Sequence, residues 1–273
     1  MDKSFIESVE YLKSKTGIEP KSGIVLGTGL GDLVDHLDIE IEIPYEDIPH
    51  FPVSTVEGHQ GKLIFGFLNG RAVVAMKGRF HYYEGYTMQE VTYPIRIMKL
   101  LGIEDIYISN AAGGVNPDFQ IGDLMMLTDH INFFPDSPLR GPNIEEFGPR
   151  FPDMSQPYDL NMRSLALVSA KELGVLLHQG VYLGNPGPSF ESPAEYLHYR
   201  TVGADAIGMS TVPEVIVARH MDIKVCAFSV ITNIAVPGKF GQNSHIEVQK
   251  AAVKTQANLT QLISLMLGRI GAR

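Results

Sequence analysis

KLIFGFLNGRAVVAMKGRFHYYEG, residues 62–85, decides the fold class of this chain. Two apolar runs of strand-like composition, 62–68 and 71–77, meet at Asn69 and Gly70, a dipeptide suited to a two-residue hairpin turn. The two runs are therefore expected to pair antiparallel. Further strand-like runs at 23–26, 105–109, 123–128, 175–183 and 223–231 alternate with helical patterns, the order of an α/β protein. A hairpin inside an α/β order predicts a mixed sheet.

The second run of the hairpin gives out into a polar cluster, RFHYYEG. Four other runs end the same way, in GTGLG (27–31), SNAAGG (109–114), GMSTVPE (208–214) and ITN (231–233). Loops at strand carboxyl ends gather at one edge of an α/β sheet, where ligands of such folds bind. The groups offered are Thr, Arg, His, Asn, Ser and backbone amides, which suit an anion beside an uncharged ligand. The chain has no CxxC, HExxH, GxxxxGK[ST] or GxSxG, so metal, Walker-type and serine-hydrolase readings find no support.

Composition narrows the classes. At 273 residues the chain has ample material for a large core, and no linker divides it. Its 44% hydrophobic and 19% charged residues are those of a soluble globular protein, with no apolar run of membrane-spanning length. No signal-peptide core is visible near the amino end, so the mature chain is expected to start there, in a cytoplasmic setting that also suits the lone cysteine, Cys226. A net charge of −9 argues against a nucleic-acid partner. It also means that an anion site must be locally positive, with Arg79, His81 and His59 as the candidates.

Four helix starts show Ser or Thr followed three residues later by Glu: Thr87 with Glu90, Ser192 with Glu195, Thr211 with Glu214, and Ser244 with Glu247. This is the reciprocal capping pattern, which holds adjacent residues rigidly beside free amides. Pro94 falls inside the helix starting at Thr87, where a kink is expected. The final helix, from about residue 244 to 268, carries an apolar stripe from Val248 to Leu267 that reads as core packing. Residues 133–157 contain six prolines (Pro135, Pro138, Pro142, Pro149, Pro152, Pro157) and four phenylalanines. Such a segment is too apolar for disorder and reads as an ordered flap, resting on another subunit.

Singly, the clusters stay ambiguous. GTGLGD lacks the third glycine of a dinucleotide fingerprint and fits a phosphate loop and a plain tight turn equally. Arg79 and His81 share a face if extended, a good phosphate clamp, yet an arginine among 31 carboxylates has ample structural partners. SNAAGG fits an oxyanion nest or a simple turn.

Read together with GPSFESPAE (187–195) and GMSTVPEVIVARH (208–220), these segments resemble the signature motifs of the trimeric purine nucleoside phosphorylases, the low-molecular-mass family that includes methylthioadenosine phosphorylase. The match is collinear from about Gly23 to the last helix. It implies one α/β domain over residues 1–273, with a central mixed, partly barrel-like β-sheet flanked by helices. It implies a phosphate site of Thr28, His59, Arg79, His81, Ala112 and Ser210, a ribose site of Tyr83, Met209 and His245, and a purine site of Phe190, Glu191 and Asn233. Phe151 would reach the ribose in the neighbouring subunit of a homotrimer. Thr28 stands where most relatives carry Ser, and Ile234 where mammalian relatives carry Lys.

The implied reaction is phosphorolysis of a purine nucleoside to free base and pentose 1-phosphate in purine salvage, with inorganic phosphate as co-substrate and no cofactor, metal or membrane. Asn233, Glu191 and His81 carry the catalytic roles. Glu191 suits the N1 hydrogen of a 6-oxopurine and leaves adenine unpaired, so inosine and guanosine are the expected substrates. The alternatives are 5′-methylthioadenosine phosphorolysis, a nicotinamide-dependent oxidoreductase built on GTGLGD, and a noncatalytic nucleoside-binding protein.

Overall fold

The computed structural model of the chain describes residues 2–27, 31–53, 61–236 and 245–271. Its elements in order are α1 (Lys3–Lys15), β1 (Ser22–Leu26), β2 (Asp38–Pro44), β3 (Lys62–Leu68), β4 (Arg71–Lys77), α2 (Met88–Leu101), β5 (Asp105–Gly114), β6 (Leu124–Asn132), α3 (Leu160–Leu173), β7 (Leu177–Gly184), α4 (Pro193–Thr201), β8 (Ala206–Gly208), α5 (Val212–His220), β9 (Lys224–Ile234) and α6 (His245–Gly271). One nine-stranded sheet runs β2-β3-β4-β1-β5-β8-β7-β6-β9, and β9 pairs again with β5. The strands β5, β8, β7, β6 and β9 thus form a closed ring, from which β1, β4, β3 and β2 extend as an open wing.

The expected hairpin joins β3 and β4, with Leu68 opposite Arg71 and positive φ at both Asn69 (50°) and Gly70 (80°). These signs are those of the turn whose twist matches paired strands. β1 is parallel to β4 and β5, β5 is parallel to β9, and β6 is antiparallel to β9, so the sheet is mixed. Strand β2 escaped the reading of the sequence, because it alternates acids with Ile39, Ile41 and Ile43 on an exposed edge. The short run leading into GMSTVPE is β8, only three residues long.

Both faces of the sheet are covered, which explains the nearly continuous apolar runs. In β4, Val74 and Met76 pack with Val91 and Ile95 of α2 and Val215 of α5, whereas Val73 and Ala75 face the side held by α3 and α6. The same alternation places Ile106 and Ile108 of β5 on the first side and Tyr107 on the second. The α6 stripe is core from Ala252 to Leu267, as expected. Cys226 is fully buried, and burial raises its thiol pKa, as befits a packing residue.

The caps at Thr87 and Ser192 form both reciprocal bonds: Glu90 N donates to Thr87 Oγ1 (3.2 Å) and Thr87 N to Glu90 Oε2 (2.8 Å), and Ser192 N donates to Glu195 Oε2 (2.7 Å). The cap at Ser244 lies outside the described residues. Pro94 does not end α2, which runs unbroken for 14 residues. No helix among the described residues is long and apolar enough to cross a membrane.

The proline-rich segment is docked on its own chain. Phe147 is buried, edge-on to Phe5 of α1 (5.3 Å) and beneath the guanidinium of Arg96 of α2 (4.8 Å). Next to it Gly148 has φ 155° and lies so close to the His220 carbonyl that an added Cβ would collide with that oxygen. Phe151, three residues on, is 86% exposed. Gly148→Ala is expected to lower unfolding stability by about 2 kcal/mol or more in urea titration, because neither clashing group is a flexible side-chain end.

Candidate active site

A cavity of about 260 Å³ opens where β1, β4, β5, β7, β8 and β9 end, and Val248 of α6 closes one side. It is lined by Arg79, His81, Tyr83, Ala112, Phe190, Glu191, Met209, Ser210 and Asn233, nine of the residues singled out in the sequence. Thr28 and His59 lie outside the described residues, as does the side chain of His245, whose backbone opens α6. Phe151 is not part of this chain's cavity.

Arg79 leaves β4 after Gly78 and is 1% exposed. Its Nη1 donates to Ser210 Oγ (2.9 Å), and Nη2 lies 3.2 Å from Glu214 Oε2 without making a hydrogen bond. Among the described residues Nε also lacks an acceptor. A buried guanidinium with unmatched donors at a cavity wall favours an anion there. The Glu214 carboxylate offsets the charge without saturating the fork.

Ser210 is held by an unusual backbone. Thr211 has φ 69° and ψ −53°, and the Val212 amide donates to the Ser210 carbonyl (2.7 Å), the geometry of a γ-turn with positive φ. This conformation is strained for a β-branched residue and persists only where neighbours over-determine it. They do: Asn110 Nδ2 donates to Thr211 Oγ1 (2.9 Å), Thr211 N donates to Glu214 Oε2 (3.1 Å), and Ser229 Oγ donates to Asn110 Oδ1 (2.7 Å). Glu214, expected only as a capping residue, thus caps α5 and pairs with Arg79. Asn110 and Glu214 are site residues that the sequence reading passed over, although both stand inside the quoted motifs.

His81 is buried, with Nδ1 2.9 Å from Glu84 Oε1 and its ring stacked on Tyr83 (4.7 Å). A carboxylate only accepts, so Nδ1 carries the proton. Burial holds the pKa of His81 below its ordinary value, and the Arg79 charge adds to that, while Glu84 opposes. The ring is therefore neutral near pH 7, and Nε2 bears a lone pair. Such a group can accept from a protonated phosphate oxygen. Burial also pushes Tyr83 up to about 12, so its hydroxyl remains a donor.

The cavity lining also includes Glu191 and Asn233. The pairing of β5 with β9 shifts register between Ala112 and Gly113, and Asn233 falls opposite Gly113. Bulges re-aim side chains next to active sites. Here a Cβ on Gly113 would lie 3.0 Å from Asn233 Nδ2, so the bare glycine leaves that amide its room. Glu191 precedes the capped start of α4, and Asn185 Nδ2 donates to its Oε1 (2.6 Å). Phe190 and Met209 add apolar wall. The lining thus combines donors for an anion with a carboxylate and an amide suited to a heterocycle edge.

The phosphorylase superfamily profile matches residues 21–268. Among similar proteins, purine nucleoside phosphorylase 1 of Bacillus subtilis is 50% identical over 95% of this chain and 96% of its own length. The purine nucleoside phosphorylase of Rattus norvegicus is 47% identical over 97% and 94%. The crystal structure of the Schistosoma mansoni purine nucleoside phosphorylase in complex with adenosine superposes with a TM-score of 0.93 at 43% identity, covering 97% of this chain and 96% of that one. With this likeness extending over the whole length and the whole fold, the chain belongs to the phosphorylase superfamily and, within it, to the purine nucleoside phosphorylases, which are pentosyltransferases.

Proposed function

We propose that the chain cleaves 6-oxopurine ribonucleosides and deoxyribonucleosides, such as inosine and guanosine, with inorganic phosphate as the only co-substrate and no cofactor. The single observation that carries this reading is the make-up of the cavity wall, where Arg79 donors with no acceptor among the described residues share one lining with Glu191 and Asn233. Phosphate held by Arg79, Ser210, the Ala112 region and, outside the described residues, Thr28 and His59 attacks C1′ of the nucleoside. The sugar becomes oxocarbenium-like and the departing base electron-rich, so rate is gained from groups that meet those charges as they develop. The phosphate serves the sugar, and Asn233 serves N7 and O6 of the base. Neutral His81 Nε2 accepts the proton of a monoprotonated phosphate and sharpens its charge toward C1′.

Tyr83, Met209 and His245 hold the ribose, while Phe190 packs on the purine face and Glu191 accepts from N1–H. The Schistosoma mansoni relative is described with adenosine, and a schistosoma purine nucleoside phosphorylase with hypoxanthine, so this fold admits both kinds of base. Preference for the 6-oxopurine rests here on Glu191, which would face the N1 lone pair of adenine unpaired. The exposed Phe151 suits a place in the neighbouring subunit's ribose site in a homotrimer. The chain acts as one domain over residues 1–273, in the cytoplasm, on small molecules and not on nucleic acid.

The direct test is absorbance-monitored conversion of inosine to hypoxanthine, which should require phosphate; release of base in its absence would mark a nucleosidase instead. Asn233→Asp should lower kcat/KM for inosine by about 10²- to 10³-fold and raise that for adenosine; parallel changes in the two would remove Asn233 from base recognition. Deleting the Arg79 side chain would strand buried Glu214 at a cost of about 3–5 kcal/mol, which confuses stability with binding. Arg79→Lys keeps the charge and loses the fork. It should raise KM for phosphate by at least about 10-fold while KM for inosine changes little, and equal rises would assign Arg79 to structure.

A further inference from the structure

Asn185 follows the last residue of β7 and is 5% exposed, yet it belongs to none of the motifs above. Its backbone amide donates to the Gly208 carbonyl (2.9 Å), extending the β7 to β8 pairing by one step. Its side chain is used at both ends: Oδ1 accepts from the Gly187 amide (3.0 Å), and Nδ2 donates to Glu191 Oε1 (2.6 Å). The Gly187 bond settles which way the amide points, because a backbone N–H only donates and must meet the oxygen. The nitrogen is thereby turned toward Glu191, where it can only donate. Glu191 lines the cavity, so the bond from Asn185 fixes the orientation of a carboxylate at the cavity wall.

We propose that Asn185 is a specificity-determining positioning residue, which fixes Glu191 as an oriented acceptor for a base carrying an N1 hydrogen. This rests on the base-reading role given to Glu191 above. Asn185 touches no substrate; it acts through the carboxylate. Its tie to Gly187 and its place after β7 make the orientation of Glu191 a property of the sheet edge and not of the loop's own stiffness. A swung-out Glu191 would lose the match to 6-oxopurines and the mismatch to adenine together.

Asn185→Asp separates the two halves of the device, because one carboxylate oxygen still accepts from Gly187 while the donor to Glu191 becomes a second acceptor. Either Glu191 turns away, or the two carboxyls share a proton. In both cases kcat/KM for inosine should fall by about 10- to 100-fold, the worth of a hydrogen bond to a charged group. The inosine to adenosine ratio should fall with it, while KM for phosphate stays within about twofold. Asn185→Ser, which retains a short acceptor for the Gly187 amide, serves the same purpose if the Asp variant does not fold. Glu191→Ala is measured beside them. Selective loss for inosine in both the Asn185 and Glu191 variants supports the proposal. Selective loss in Glu191→Ala alone overturns the role of Asn185 and leaves the reading of Glu191 standing. Loss in the Asn185 variant alone, or no selective loss in either, overturns both.

Discussion

The eleven-residue strand β9 lies parallel to β5 along its length and antiparallel to β6 at its middle, and this double pairing is the constraint from which the site follows. It draws β5, β8, β7, β6 and β9 into a ring, so that chain segments far apart in sequence end at one mouth. An open sheet would spread the same loops along an edge. Closure also removes free strand edges from that half of the sheet, leaving β2 as the exposed edge of the wing. The register shift in the β5 to β9 pairing is then local in cause and functional in effect, because it sets Asn233 against Gly113 at the rim.

On that frame sits a chain of buried polar groups. Ser229 holds Asn110, Asn110 holds Thr211, the strained turn at Thr211 presents Ser210, and Ser210 accepts from Arg79, whose charge faces Glu214. Buried polar groups are costly unless satisfied, and this chain satisfies its members in sequence until it reaches the cavity, where Arg79 keeps donors unmatched. The acidic protein thus builds a locally positive spot without a cluster of cations. Strain at Thr211 is stored beside the site and balanced by partners on β5 and β9.

Much of this was legible in the sequence, for identifiable reasons. Strands buried on both faces show as unbroken apolar runs, and the turn at Asn69 and Gly70 has steric requirements few dipeptides meet. Arg79 and His81 stood out because a strand ended just before them. Glu214 and Asn110 did not stand out as site residues, since Glu214 meets Arg79 from a distant strand end and Asn110 meets Thr211 across 101 positions, and local pattern carries no trace of such pairs. Glu214 was visible only in its capping role, and Asn185 had no motif at all. Ring closure came with the family resemblance, whose partly barrel-like sheet the structure bears out; the apolar runs alone hid it, because β8 contributes three residues and the edge strand β2 mixes acids with its isoleucines. The proline-rich flap was read correctly as ordered, but its anchorage is on its own α1 and α2.

That anchorage joins two distant parts of the molecule. Phe147 is wedged between Phe5, near the amino end, and Arg96, and Gly148 is pressed onto the end of α5, so the stretch leading to Phe151 leaves from a fixed root. The direction in which that outlying ring is thrust into solvent is therefore written partly by the opening helix of the polypeptide. Phe5 thus helps to hold the root from which Phe151 departs, although neither residue lines the cavity.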